Sequence, residues 1–136
     1  MLQGMIKTDL KIIRAETGLL LHGMKNMDQG FIKFGEVYFS TVNKGFIKAW
    51  KLHKEMTLNL IVPNGSILLN FFDNRLKSRT YNKRFNILMS QDPYFRLTVP
   101  PKIWFGFKGV GDGLNILCNI ADIEHNPNEV IRKKIT

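Results

Sequence analysis

The chain has 136 residues, 44% of them hydrophobic and 23% charged, the size and balance of one globular domain with its own core. Its single cysteine, Cys118, excludes an internal disulfide framework and a multi-cysteine zinc site and fits a reducing compartment. No apolar run approaches the roughly 18 residues needed to span a membrane. Met1 to Arg14 mixes Lys7, Asp9 and Lys11 with apolar residues and has no signal core, so a cytoplasmic protein is expected.

The net charge is +9, with a pI near 9.9. Such a field attracts anions. Apart from Arg132-Lys133-Lys134 near the end, the basic residues are scattered singly and form no block. The charge favours an anionic ligand without choosing one; as partners, neither nucleic acid nor a membrane is expected.

In chain order, the N-terminal stretch carries some helical period. Glycine and proline then cut the chain into short strand-like runs. Gly35 opens Glu36 to Val42, and Asn43-Lys44-Gly45 is a turn signal. Phe46 to His53 alternates Phe46, Lys48, Trp50 and Leu52 with Ile47, Ala49, Lys51 and His53 on the opposite face. Met56 to Val62 and Ser66 to Phe72 flank the turn Pro63-Asn64-Gly65. Asp73-Asn74-Arg75 begins a polar loop, followed by strands at Phe85 to Met89, Tyr94 to Val99, Ile103 to Val110 and Leu114 to Ala121. The last ten residues are the second place where a helix is expected. Strands at intervals of roughly 8–12 residues argue for an antiparallel sandwich or barrel. No linker or repeat interrupts them, and one domain, 1–136, is expected.

The densest chemical constellation runs from Lys48 to Lys54. Lys51 and His53 share a strand face with Ile47 and Ala49, which makes them candidates to meet one anionic or carbonyl ligand inside the barrel. The alternative places both at the strand's solvated end. Three histidines (His22, His53 and His125) and scattered acids lack metal-ligand spacing. Neither a metal nor another cofactor is expected.

These residues resemble a family. Gly45-Phe46-Ile47-Lys48-Ala49-Trp50-Lys51 is similar to the strand of dTDP-4-dehydrorhamnose 3,5-epimerases that reads Gly, two apolar residues, Arg, Gly, Leu, His. Phe72-Asp73-Asn74-Arg75 with Ser78-Arg79-Thr80-Tyr81 resembles that family's Asp-X-Arg and Ser-Pro-Thr-aromatic loop. Leu97 to Lys102 with Gly106-Phe107 resembles its "iPpG…HGF" segment, and Asn126-Pro127-Asn128-Glu129 its late Asp-Pro-X-Glu stretch. The related sugar-nucleotide 3,4-ketoisomerases match at His53 and Lys54.

The resemblance implies a cupin-type jelly roll with short peripheral helices, usually a homodimer in which a strand such as Gly35 to Val42 completes the partner's pocket. It implies an isomerase of nucleotide-activated 4-keto-6-deoxy sugars in cell-surface polysaccharide synthesis, or a related cupin that binds the sugar without turnover. The family's base histidine falls at Lys51, its enolate-stabilising lysine near Asn59 and its tyrosine acid near Cys118. The extension that supplies the histidine's aspartate partner is absent, the chain ending at Thr136. Epimerisation needs a base for the α-proton and a donor for the enolate oxygen. His53 suits the base by its ordinary pKa, and Lys51 suits the donor or, if burial lowers its pKa, the base. Lys48 and Arg75 suit the pyrophosphate, with Arg75 alternatively pairing with Asp73. Trp104 is an aromatic able to stack on the base.

Overall fold

The computed structural model describes residues 1–135, and Thr136, the end of the expected domain, lies outside the described residues. The strands are, in order, β1 (Ile6–Asp9), β2 (Ile12–Ala15), β3 (Gly18–Leu21), β4 (Glu36–Thr41), β5 (Ile47–His53) and β6 (Leu58–Asn64). They continue with β7 (Ile67–Asp73), β8 (Arg84–Met89), β9 (Phe95–Val99), β10 (Ile103–Gly109), β11 (Ile116–Ala121) and β12 (Val130–Arg132).

One antiparallel sheet has the order β1-β9-β6-β11-β4, and the other β12-β5-β10-β7-β8; β2 and β3 form a separate hairpin. The two larger sheets make the cupin-type sandwich that the strand spacing and the resemblance imply. Among the described residues the expected helices reduce to one 3-10 turn, Pro127–Glu129. The N-terminal stretch folds instead as β1 and the β2–β3 hairpin, and most of the last ten residues as that turn and β12. Segments this short hold too few periods to separate a helix from a strand. No helix among the described residues is long and apolar enough to cross a membrane.

The core follows the period of two. Leu58, Leu60 and Val62 on β6, Ile67, Leu69 and Phe71 on β7, and Phe95, Leu97 and Val99 on β9 are all buried in one cluster with Phe105 and Phe107 of β10. A row of rings crosses the second sheet: Phe85 to Phe71 at 6.3 Å, Phe71 to Phe105 at 6.2 Å, and Phe105 to His53 at 6.0 Å between centroids. Each such pair contributes about 0.5–1.5 kcal/mol beyond burial, and the row carries His53 to the sheet's inner surface.

The outer face of the first sheet is covered as well. Arg96, fully buried, donates to the carbonyls of Gly23 (2.7 Å) and Gln29 (3.3 Å), which straps the segment after β3 onto β9. Gly65 turns β6 into β7 at φ +82°, and a Cβ there would collide with Leu114 and Asn115.

Candidate active site

β5 positions the site through a fault in its pairing. On β10, Phe105 lies opposite Lys51, while Phe107 lies opposite Lys48, so three steps along β5 match two along β10. This bulge turns Lys48 to the same side as Lys51, overriding the alternation that grouped Lys48 with Trp50 and Leu52. Both lysines line a cavity of about 650 Å³ at the mouth of the sandwich. Tyr38 and Ser40 of β4 and Asn119 of β11 form the opposite wall, with Leu60, Phe105, Phe107 and Leu117 between. Arg132, Lys133 and Lys134 close one side. They are held there because β12 pairs with β5 and the main chains of Lys133 and Trp50 bond in both directions.

His53, 4% exposed, sits behind Phe105 on the same inward face of β5. Its Nδ1 lies 2.5 Å from Oε1 of Glu129, which is itself 3% exposed. The other oxygen of Glu129 accepts from the main-chain amides of Glu55 (3.2 Å) and Met56 (3.3 Å). Burial alone would raise the Glu129 pKa, but the bonds from His53 and the two amides hold it below the ordinary value. Glu129 is therefore an ionised acceptor. Burial lowers the His53 pKa, an effect that Glu129 only partly offsets. The imidazole is neutral, with its proton on Nδ1 toward Glu129, and Nε2 is left as a buried nitrogen with no partner.

Across the cavity, Tyr38 and Asn119 are cross-strand partners. The Asn119 side-chain amide donates to the Tyr38 hydroxyl at 2.9 Å, and its oxygen accepts from the Asn59 main-chain amide at 3.0 Å. Burial raises the Tyr38 pKa, so the phenol keeps its proton. Lys51 is half-buried, and burial, then the charges of Arg132 and Lys48, lowers its pKa. Lys48 donates to the Thr41 carbonyl at 2.8 Å.

The structure thus places Lys48 and Lys51 on the cavity wall and His53 behind it at Phe105, and leaves four other expected residues away from the site. Asn59, Trp104 and Cys118 each sit one residue out of phase with an inward neighbour. The Asn59 side chain turns to the outer face, donating to the Gly30 carbonyl (3.1 Å) and accepting from Thr98 (2.6 Å). Trp104, next to inward Phe105, faces out and has the Lys133 amine 5.8 Å from its ring centre. Cys118 packs with Ile61 and Tyr94 on the outer side, and burial pushes its thiol pKa up to about 11.

Arg75 makes two bonds of 2.9 Å to the wholly buried Asp73 and one of 2.6 Å to the Gln3 carbonyl. Burial would raise the Asp73 pKa, but Arg75, Ser78 and Thr80 together hold it far below the usual range. A buried carboxylate needs a counter-charge, and Arg75 is committed to that task.

Two residues of the site escape sequence reasoning. Glu129 stands in the Asp-Pro-X-Glu-like stretch and is the carboxylate partner of His53. Tyr38 stands upstream, and only the pairing of β4 with β11 sets it beside Asn119. Among the described residues no group of three or more His, Cys, Asp or Glu is placed to hold a metal.

Fold and site define a jelly-roll cupin with a basic pocket and a buried histidine–carboxylate pair. The chain superposes with a TM-score of 0.94 on the crystal structure of a dTDP sugar isomerase from Desulfovibrio desulfuricans G20, at 36% identity over 98% of this chain and 85% of that one. It belongs to the family of dTDP-sugar isomerases and epimerases. The fold also matches QdtA, a sugar 3,4-ketoisomerase from Thermoanaerobacterium thermosaccharolyticum, with a TM-score of 0.80 at 23% identity over 98% of this chain and 90% of that one. Among curated proteins, a probable low-salt glycan biosynthesis epimerase, Agl13 of Haloferax volcanii, is 28% identical over 83 residues. Those residues are 60% of this chain and 53% of that protein, so the match spans about half the relative's length. No family model matches the chain.

Proposed function

We propose that this protein is an isomerase that moves protons at carbons beside the ketone of a nucleotide-activated 4-keto-6-deoxy sugar, serving cytoplasmic synthesis of cell-surface polysaccharide. One observation carries the reading: a neutral histidine with a free Nε2, held by an ionised glutamate, lies behind the wall of a cavity rimmed with cations. About 650 Å³ is within the range of small-molecule sites. The cations Lys48, Arg132, Lys133 and Lys134 suit a diphosphate, and Lys51, deeper on β5, meets the ketone. His53 takes the α-proton, and Tyr38 on the opposite wall supplies or receives one from the other side.

The test is incubation with dTDP-4-keto-6-deoxyglucose in heavy water, read by mass spectrometry and NMR. Deuterium at C3 or C5 supports the reading, and a carbonyl that moves to C3 selects ketoisomerisation. Tight dTDP binding with no exchange on any nucleotide keto-sugar would reduce the protein to a binding cupin.

The proposal extends to a homodimer. β4 is an edge strand of its sheet, and it turns Val37 and Phe39 outward, Phe39 being 67% exposed. An apolar edge of this kind is a template for a second copy. Tyr38 and Ser40 on the same strand would then lie beside the interface.

A further inference from the structure

We propose that Lys51 takes the ketone covalently, as a protonated imine, before the proton is moved. This rests on the isomerase reading and specifies how the carbonyl is activated.

Position comes first. Lys51 lines the cavity from the inward face of β5, next to the apolar wall of Phe105, Phe107 and Leu60. His53 lies two residues further along the same strand and on the same side. Behind Phe105, its Nε2 is a buried ring nitrogen with no hydrogen-bond partner among the described residues.

The second observation is what surrounds the amine. Among the described residues Lys51 has neither a hydrogen bond nor an ion pair. Among the described residues no carboxylate lines the cavity, whereas Lys48, Arg132, Lys133 and Lys134 do. Each of two neighbouring lysines has a use for its charge: Lys48 bonds the Thr41 carbonyl, and Lys133 lies over Trp104. An ammonium that is half-buried, unpartnered and beside like charges gives up its proton more readily than an exposed one, and the free amine is a nucleophile. Burial and the two nearest cations lower its pKa in just this sense.

The step balances without any oxidant or reductant. Nζ attacks the carbonyl carbon, one proton is taken up, and water leaves with the carbonyl oxygen, which gives the iminium. The positive nitrogen draws electrons from the neighbouring C–H bond, and His53 Nε2 removes that proton to give an enamine. Return of a proton to carbon, from His53 or from Tyr38 opposite, restores the iminium. Water then releases the ketone and the free amine.

Borohydride trapping tests it. Wild-type protein is treated with dTDP-4-keto-6-deoxyglucose and sodium cyanoborohydride, then digested and mapped by mass spectrometry. The expected product is a secondary amine at Lys51 carrying the nucleotide sugar less one oxygen. Lys51→Arg, which keeps the charge but forms no imine, should give no adduct, melt like the wild type and still bind dTDP. Its deuterium exchange should fall by at least ~10²-fold. Exchange by the wild type with no adduct at any reductant concentration, or exchange retained in Lys51→Arg, would overturn the imine while leaving the isomerase reading intact. Absence of both dTDP binding and exchange would remove the two together.

Discussion

His53 and Glu129 stand 76 positions apart in the chain, yet Nδ1 of one lies 2.5 Å from Oε1 of the other. The contact joins the last residue of β5 to the 3-10 turn ahead of β12, and it fixes which ring nitrogen is free. Glu129→Gln preserves shape but offers a neutral amide in place of the carboxylate, so the tautomer is no longer specified. Deuterium exchange should drop roughly 10²–10⁴-fold, while dTDP affinity changes less than about threefold, because Glu129 does not line the cavity. Equal losses in both would mean that the turn has unfolded.

The same pair sets a pH dependence. Burial depresses the His53 pKa below 6.5, so the base form persists down to that lowered value. The acid limb that His53 sets in kcat/KM should therefore fall below pH 6.5. Stability follows the same sign. His53, Glu129 and Asp73 all have folded pKa values below their ordinary ones. The contribution of His53 is complete above 6.5 and that of the carboxylates above their usual range, and each is lost as pH falls through the folded value. Thermal melting across pH 4 to 8 should therefore show Tm declining on the acid side only, first through His53.

Most of the sandwich is legible because its strands are long enough to declare a period. The runs Glu36 to Val42 and Ser66 to Phe72 became β4 and β7 within a residue at each end. The site is less legible, for three reasons visible in particular residues. The bulge that turns Lys48 inward depends on how β5 meets β10, which neither strand states by itself. Tyr38 joins Asn119 only through sheet order. Asn59, Trp104 and Cys118 miss the cavity by a single position, and a one-residue slip on a strand sends a side chain to the other face.

Arg75 distinguishes a structural from a binding role. It is the counter-charge of a carboxylate that has no exposure at all. Arg75→Met leaves Asp73 with the hydroxyls of Ser78 and Thr80 and the main-chain amide of position 75 but no counter-charge, and frees the Gln3 carbonyl. Chemical denaturation should report a loss of about 3 kcal/mol. Nucleotide affinity of the remaining folded protein should be unchanged. A selective loss of dTDP binding with normal stability would return Arg75 to the ligand.

The β4 edge is tested by charge. Phe39→Lys places an ammonium in the middle of the outward apolar stripe without touching Tyr38 or Ser40, which face the cavity. Sedimentation should show a dimer for the wild type and a monomer for the variant. A wild-type monomer at micromolar concentration would remove the dimer.

The rim cations should act on the diphosphate and not on the base. Lys133 and Lys134 stand where the chain leaves β12, beside the cavity mouth, and their charges are reached by solvent and screened by salt. Each exposed cation contributes at most about 1 kcal/mol to an ionic contact. Replacing both with alanine should weaken dTDP roughly tenfold at low salt and by less at 0.5 M salt. Thymidine, which has no phosphate, should bind both proteins equally. Arg132 is better left in place for this measurement, because its main chain pairs with Lys51 and a change there would disturb β5 as well. Calorimetric titration of dTDP, dTMP and thymidine at two salt concentrations gives the comparison. Equal losses for all three ligands would mean that the tail shapes the cavity instead of pairing with phosphate.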